Sequence, residues 1–263
     1  MRYGLDFNPF IKNSKDILIE TAEGKEIVYR LGYLLDTKGF GVITGASGRG
    51  KTTVVRHWAN NLNPSLYKVI YLPLSTITVM EFYRQLAESL GLEARHRKSD
   101  NFKIIQAEIT RLTLEKRITP VIIADEASYY KSSILNDLKM MFSFEKDSKD
   151  RAVVLLVGLP QLNNTLRLVA NEPLRQRIVM NYHLERLSKE EGHSYITNAL
   201  KIARCTQSVF EEAALEAILN TAGGLIRVIN KICDSCLFIG DATKAPNITA
   251  DIVMSAVNEI ELD

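Results

Sequence analysis

The chain has 263 residues, 46% of them hydrophobic and 24% charged, with a formal net charge of +2. That length accommodates one sizeable α/β core plus a smaller appended unit, and the composition excludes disordered and fibrous classes. No apolar run approaches the ~20 residues of a bilayer-spanning helix, and Met1-Arg2-Tyr3-Gly4 leads into no signal-peptide core, so a cytoplasmic protein with no membrane partner is expected. Three cysteines, an odd number, argue against a disulfide framework.

The lead segment passes Phe7-Asn8-Pro9-Phe10 and ends in a helical pattern at about Glu23 to Leu35. Gly41-Val42-Ile43-Thr44 then reads as a buried strand. It runs into Gly45-Ala46-Ser47-Gly48-Arg49-Gly50-Lys51-Thr52, which has the spacing of a phosphate-binding loop, and a helix over Thr52 to Ala59 follows. The glycines let successive backbone N–H groups curl around the β- and γ-phosphates, and the helix N-terminus adds partial positive charge. Lys51 supplies a mobile point charge, and Thr52 offers a hydroxyl to Mg²⁺, which prefers oxygen ligands. The ATP-binding set is therefore Gly45, Ser47, Gly48, Arg49, Gly50, Lys51, Thr52 and Thr53.

Further strands are expected at Lys68–Leu72, Pro120–Ala124, Val153–Val157 and, more weakly, Val179–Leu184. A capping box, Thr78 with Glu81, opens a helix running to about Leu90, and Ile104, Ile105, Ile109 and Leu112 mark another. Alternating strands and helices imply a mostly parallel sheet covered on both faces. The strand Val121–Ala124 ends in Asp125-Glu126, placing two carboxylates at the C-terminal edge of the sheet, where open α/β folds bind ligands. Asp125 is suited to the metal shell through water, and Glu126 to orienting the attacking water.

After about Leu187 the strands stop. Ser188 with Glu191 and Ser208 with Glu211 read as two more capping boxes, Gly223-Gly224 breaks the pattern, and Thr249 caps a last helix with Ile252, Val253, Ala256, Val257 and Ile260 inward. Cys233 and Cys236 form a C-x-x-C with no second ligand pair. Their spacing with Leu225, Val228, Ile229 and Ile232 is helical, which reads as buried thiols rather than a zinc site.

The order of Lys51, Asp125-Glu126, Arg175/Arg177 and Gly223-Gly224-x-x-Arg227-x-x-Asn230 resembles AAA+ ATPases, and specifically the ExeA-like group. Phe7-Asn8-Pro9-Phe10, Asp125-Glu126-Ala127, Val157-Gly158-Leu159-Pro160-Gln161-Leu162 and Gln176-Arg177-Ile178 extend the resemblance over nearly the whole chain. Among relatives the chain looks most like the small ATPases encoded with transposases, functional kin of the TnsC, MuB and IstB transposition regulators. The resemblance implies a P-loop AAA+ α/β domain with the lead segment over 1–187 and a small all-α lid over 188–263. It implies ATP and Mg²⁺ as cofactors, with catalysis by Glu126, by Arg177 or secondarily Arg175 as a finger toward a neighbouring subunit, and by Arg227 as a lid sensor. A finger acting in trans requires a homo-oligomer, a ring or a helical filament. Asn8-Pro9-Phe10 lies near the adenine or anchors the N-terminus; the residues leave both readings open.

One position departs from the family. Many relatives carry a polar residue at Leu159 that senses the γ-phosphate, and leucine cannot hydrogen-bond it; Gln161 and Asn163 are the nearby substitutes. Slow intrinsic hydrolysis is expected if neither serves.

Residues 1–185 carry 26 Lys and Arg against 20 Asp and Glu, a net +6, while residues 186–263 carry 7 against 11, a net −4. Much of the excess lies between Arg95 and Arg117, a pattern that suits either nucleic acid or a solvated helix face. The transposition relatives wind on duplex DNA through loops that correspond to Ser75, Thr76 and Thr78 and to Arg97, Lys98, Ser99 and Lys103, with Lys131 and Lys139 as a fallback; for Thr78 the capping role comes first. The expected activity is an ATPase that assembles on double-stranded DNA, selects a target and recruits a transposase. An ExeA-type secretion ATPase and a nucleotide-dependent interaction switch with little hydrolysis are the alternatives.

Overall fold

The computed structural model describes residues 2–11, 21–144 and 150–260. Two compact units divide the chain. One is drawn from Glu26–Gly45 and Lys51–Leu184, the other from Met1–Lys25, Ala46–Gly50 and Glu185–Asp263.

The first unit is built on five parallel strands, β1 (Gly39–Gly45), β2 (Tyr67–Leu72), β3 (Thr119–Ala124), β4 (Val153–Gly158) and β5 (Ile178–Leu184), in the order β2-β3-β4-β1-β5. Every residue of β1 and β4 is buried, as in a central parallel strand covered on both faces, and the one polar side chain among them, Thr44, is hydrogen-bonded. α1 (Ala22–Thr37) precedes β1, and the connections carry α2 (Lys51–Asn60), α3 (Val79–Ser89), α4 (Lys98–Leu114), α5 (Ser132–Met141), α6 (Gln161–Arg167) and α7 (Glu172–Arg175). The apolar faces of α3 to α7 enclose a core that includes Phe40, Ile70, Phe82, Tyr83, Ile105, Ile122, Leu135 and Leu156, while α1 buries Ile27, Leu31 and Leu34 and α2 buries Val54, Val55 and Trp58. The reciprocal capping box of Thr78 and Glu81 starts α3, as its sequence requires. α4 begins earlier than its apolar spacing suggests, at Lys98. There the fully buried Asn101 bonds both the N–H and the carbonyl of Arg95 at 2.8 Å and the carbonyl of Arg97 at 3.2 Å, fixing the turn.

The second unit is helical, comprising α8 (Lys189–Ile202), α9 (Glu212–Ala222), α10 (Ile226–Ala242) and α11 (Ala250–Ile260). The Ser188–Glu191 box opens α8, and Gly223 ends α9 in the left-handed conformation. The Ser208–Glu211 box does not form. Val209 and Phe210 are extended, Phe210 makes a parallel bridge with Ile248, and the N–H of Glu211 bonds the Ile248 carbonyl at 3.0 Å. That pairing holds the backbone out of helix, so α9 begins at Glu212 and the Ser208 hydroxyl donates to the Phe210 carbonyl. Val253, Ala256 and Val257 of α11 are buried as their spacing requires. Tyr3, Leu5 and Phe10 of the lead segment lie in the same core, with Phe10 edge-on to Phe210, the geometry of an apolar anchor. Among the described residues no helix is long and apolar enough to cross a membrane.

Candidate nucleotide site

β1 delivers the phosphate loop at its C-terminal end, and α2 starts at Lys51, so the loop's backbone N–H groups stand at a helix N-terminus. The Lys51 side chain is 7% exposed, and its ammonium donates to the Gly45 carbonyl at 2.8 Å. Thr52 is half-buried and Thr53 exposed. The Thr52 hydroxyl donates to Asp125 Oδ2 at 3.0 Å, joining the start of α2 to the end of β3. These are two hard oxygen groups in the chemistry Mg²⁺ selects, so the residues fit the ion.

Asp125 is buried, and its Oδ1 accepts the N–H of Glu126 at 2.9 Å. Sequence spacing did not disclose a second donor to Oδ2, the Tyr71 hydroxyl from β2. Burial, chiefly, and then the hydrogen bond to Asp125 push the Tyr71 phenol well above its ordinary range, so it remains protonated and donating. Glu126 is exposed and sits in the left-handed region (φ 53°, ψ 32°), which costs an ordinary residue about 1–2 kcal/mol. Strain of that kind persists where the surroundings hold it, and here it turns the second carboxylate out of the strand direction into solvent.

At the end of β4 the apolar Leu159 is half-buried, and its N–H bonds the Ser128 hydroxyl at 2.6 Å. Of its two polar neighbours, Gln161 is exposed, whereas Asn163 donates to Thr44 Oγ1 at 3.0 Å. Thr44 is fully buried immediately before the phosphate loop and also bonds His183 Nδ1 at 2.9 Å. Arg177 pairs with Asp150 at 3.0 Å and also bonds Ser143 and the Lys139 carbonyl. Arg175 is exposed and bonds the Arg167 carbonyl at 3.2 Å.

Within the helical unit, the loop residues Ala46–Gly50 have their own partners. Arg49 is 2% exposed, and its guanidinium bonds Glu23 and the Glu185 carbonyl. Its side chain is thus structural. Desolvation, opposed by Arg49, raises the Glu23 carboxyl above its usual range. Arg227 donates its backbone N–H to the Gly48 carbonyl at 3.0 Å and a side-chain N–H to Ser47 Oγ at 3.2 Å. A side chain at Gly48 would bring Cβ within 2.8 Å of Arg227 Cβ, so glycine permits that approach as well as its positive φ.

The residues expected to meet DNA are placed unevenly. Thr76 is exposed between β2 and α3 while Ser75 is buried. Arg97 stands at the N-cap position of α4 and is exposed, as is Lys103 six residues on, but Lys98 is held by the buried Asp137 of α5 at 2.7 Å. Cys233 and Cys236 lie buried on α10 with thiols pushed up by burial, and no cluster of metal-ligating side chains exists among the described residues.

Residues 34–166 match the family model described as an AAA domain. General secretion pathway protein A of Aeromonas hydrophila is 29% identical over 265 residues, an alignment covering 98% of this chain and 48% of that protein. The chain thus spans about half the length of that curated relative. Cdc6p from Pyrobaculum aerophilum superposes with a TM-score of 0.74 at 15% identity, covering 96% of this chain and 70% of that one. The Aeropyrum pernix ORC1 protein, solved in complex with DNA, gives 0.65 at 16% identity over 96% of this chain and 69% of that one. At these identities the two structures establish the shared fold.

Proposed function

The chain belongs to the AAA domain family, and from that premise we propose that it is an ATPase that assembles with ATP on double-stranded DNA and regulates transposition. One observation carries the nucleotide part of this reading: the Thr52 hydroxyl and Asp125 carboxylate meet at 3.0 Å beside a helix that begins at Lys51. Bound Mg²⁺ supplies charge neutralisation at the β- and γ-phosphates. Gly45 to Thr53 cradle the phosphates, Thr52 and Asp125 hold the metal shell, and Glu126 orients the attacking water. Arg227 contacts the nucleotide from the lid over 188–263. Arg177, once released from Asp150, reaches the neighbouring subunit's ATP, with Arg175 behind it, and a homo-oligomer in ring or filament form completes the site. Asn163 takes the sensing role that Leu159 cannot fill.

The DNA part rests on the turn at Arg95–Lys98, which Asn101 fixes and which presents Arg97 and, further along α4, Lys103 to solvent. Thr76 contributes a hydroxyl, while Ser75 would contribute through its backbone. Cations spaced in this way bind phosphates by counterion release with little sequence content, and a structure of the same fold has been solved with DNA. A transposase is the partner that such an assembly recruits. A second reading, a secretion ATPase, is favoured by the match to general secretion pathway protein A. Anisotropy of a labelled random-sequence duplex, measured with ATP, with ADP and without nucleotide, separates the two. Salt-sensitive, cooperative binding only with ATP is expected; no binding in any state would sink the DNA reading and leave the secretion reading.

A further inference from the structure

β2 and β3 are parallel neighbours in which Tyr71 pairs with Ile123 and Leu72 with Ala124, and the ladder continues through the Asp125 N–H to the Leu72 carbonyl at 3.2 Å. Side chains alternate along a strand, so Tyr71, Ile123 and Asp125 share one face, and the phenol extends along it to the carboxylate. Asp125 Oδ2 then accepts two hydroxyls, Thr52 from α2 and Tyr71 from β2, while Oδ1 accepts the backbone N–H of Glu126. With three donors from three separate segments, a carboxylate only 7% exposed has no freedom to rotate.

We propose that Tyr71 is a positioning residue for the magnesium shell of the nucleotide, acting through Asp125. The phenol donates to Oδ2 and fixes the plane of the carboxylate. Because a hydroxyl also accepts, the same oxygen can take a hydrogen bond from a water that Asp125 holds. Partners of this kind are worth 10–100-fold in metal affinity. The proposal rests on the Mg²⁺-ATP reading of the site and adds to it a residue that neither the phosphate-loop spacing nor the Asp125-Glu126 pair discloses.

Tyr71→Phe deletes one oxygen and keeps the ring. The affinity of a fluorescent ATP analogue is measured against Mg²⁺ concentration, with an EDTA arm, alongside the thermal melting of both proteins. The variant is expected to keep its melting temperature and its affinity in EDTA while its half-saturating Mg²⁺ rises about 10-fold or more. A Mg²⁺ midpoint within about twofold of wild type overturns the proposal, and so does an equal loss of affinity in EDTA, which would make the hydroxyl a general support of the loop. Wild-type protein that fails to bind the analogue under any condition would instead overturn the nucleotide reading itself.

Discussion

Lys98→Ala is the most discriminating perturbation of the basic turn. Asp137 is 3% exposed on α5, and its Oδ1 receives the Lys98 ammonium at 2.7 Å. The ammonium also stands over the Tyr83 ring, 5.5 Å from its centroid. Removing one partner of a fully buried pair costs about 3–5 kcal/mol, because the other charge is left without compensation. The Lys98 side chain is 48% exposed, so water already screens the pair and can reach the carboxylate after truncation, which brings the expected loss to about 2 kcal/mol. Adding Asp137→Asn removes the orphaned charge, and the double variant should return to within about 1 kcal/mol of wild type. Urea unfolding checks this as a shift of midpoint at constant slope. A single variant within about 0.5 kcal/mol of wild type, or a double variant no better than the single one, would refute the reasoning. The result bears on function, since Lys98→Glu would set a second carboxylate against Asp137 and confuse lost binding with lost folding. In the Lys98→Ala/Asp137→Asn background, a salt slope of DNA binding lower by about one unit measures the ammonium's own phosphate contact.

Glu126→Gln should bind ATP as wild type does and hydrolyse it about 10²–10⁴-fold more slowly, read by phosphate release; a rate within threefold would remove Glu126 from the chemistry. Arg97→Ala with Lys103→Ala breaks no ion pair among the described residues and should weaken duplex binding while flattening its salt dependence by about two units, with nucleotide affinity unchanged. Gly224 has φ +75°, and an added Cβ would lie 2.5 Å from the Leu187 carbonyl oxygen, so Gly224→Ala should destabilise the helical unit by about 3 kcal/mol, seen as a lower melting temperature. Burial pushes the Cys236 thiol up to about 12 and the Cys233 thiol well above its ordinary range, so neither should alkylate at pH 8 until urea unfolds the chain. A raised folded pKa stabilises fully below the unfolded value near ~8.5 and progressively less above it, so the urea midpoint should fall between pH 8 and pH 10.

The sheet was legible because buried parallel strands read as uninterrupted apolar runs, Val121 to Ala124 most plainly, each bounded by turn chemistry. β5 read more weakly for a physical reason: it lies at the edge of the sheet and exposes Val179, Asn181 and His183. The boxes at Thr78 and Ser188 were legible because both halves of the hydrogen-bond exchange lie within four residues. Ser208 and Glu211 carry the same local signal, yet pairing with Ile248, 37 positions away, outweighed it, and nothing local records that partner. Tyr71, Asn101 and Asp137 escaped for a similar reason. Their partners depend on strand register, a turn closed over six residues, or the packing of α4 against α5, none of which is a spacing along the chain.

Leu159 shows how a departure from a family pattern can be absorbed by its neighbours. The backbone N–H there is taken by Ser128, which follows Glu126 by two residues, so the segment after β4 is tied to the turn carrying the second carboxylate. Four residues further on, Asn163 is tied to Thr44, the last side chain before the phosphate loop, and Thr44 in turn to His183 of β5. An amide has two N–H donors, and one given to Thr44 leaves another. A leucine at 159 therefore removes a side-chain donor without removing the segment's hydrogen-bonded connections to β1 and to the Asp125-Glu126 turn. What it does remove is a polar group held by the strand itself. A donor on α6 must keep its place through helix packing, and a donor less firmly preorganised contributes less to a transition state. Slow phosphate release by the isolated chain is therefore expected, and an Asn163→Ala variant no slower than wild type would remove Asn163 from the sensing role.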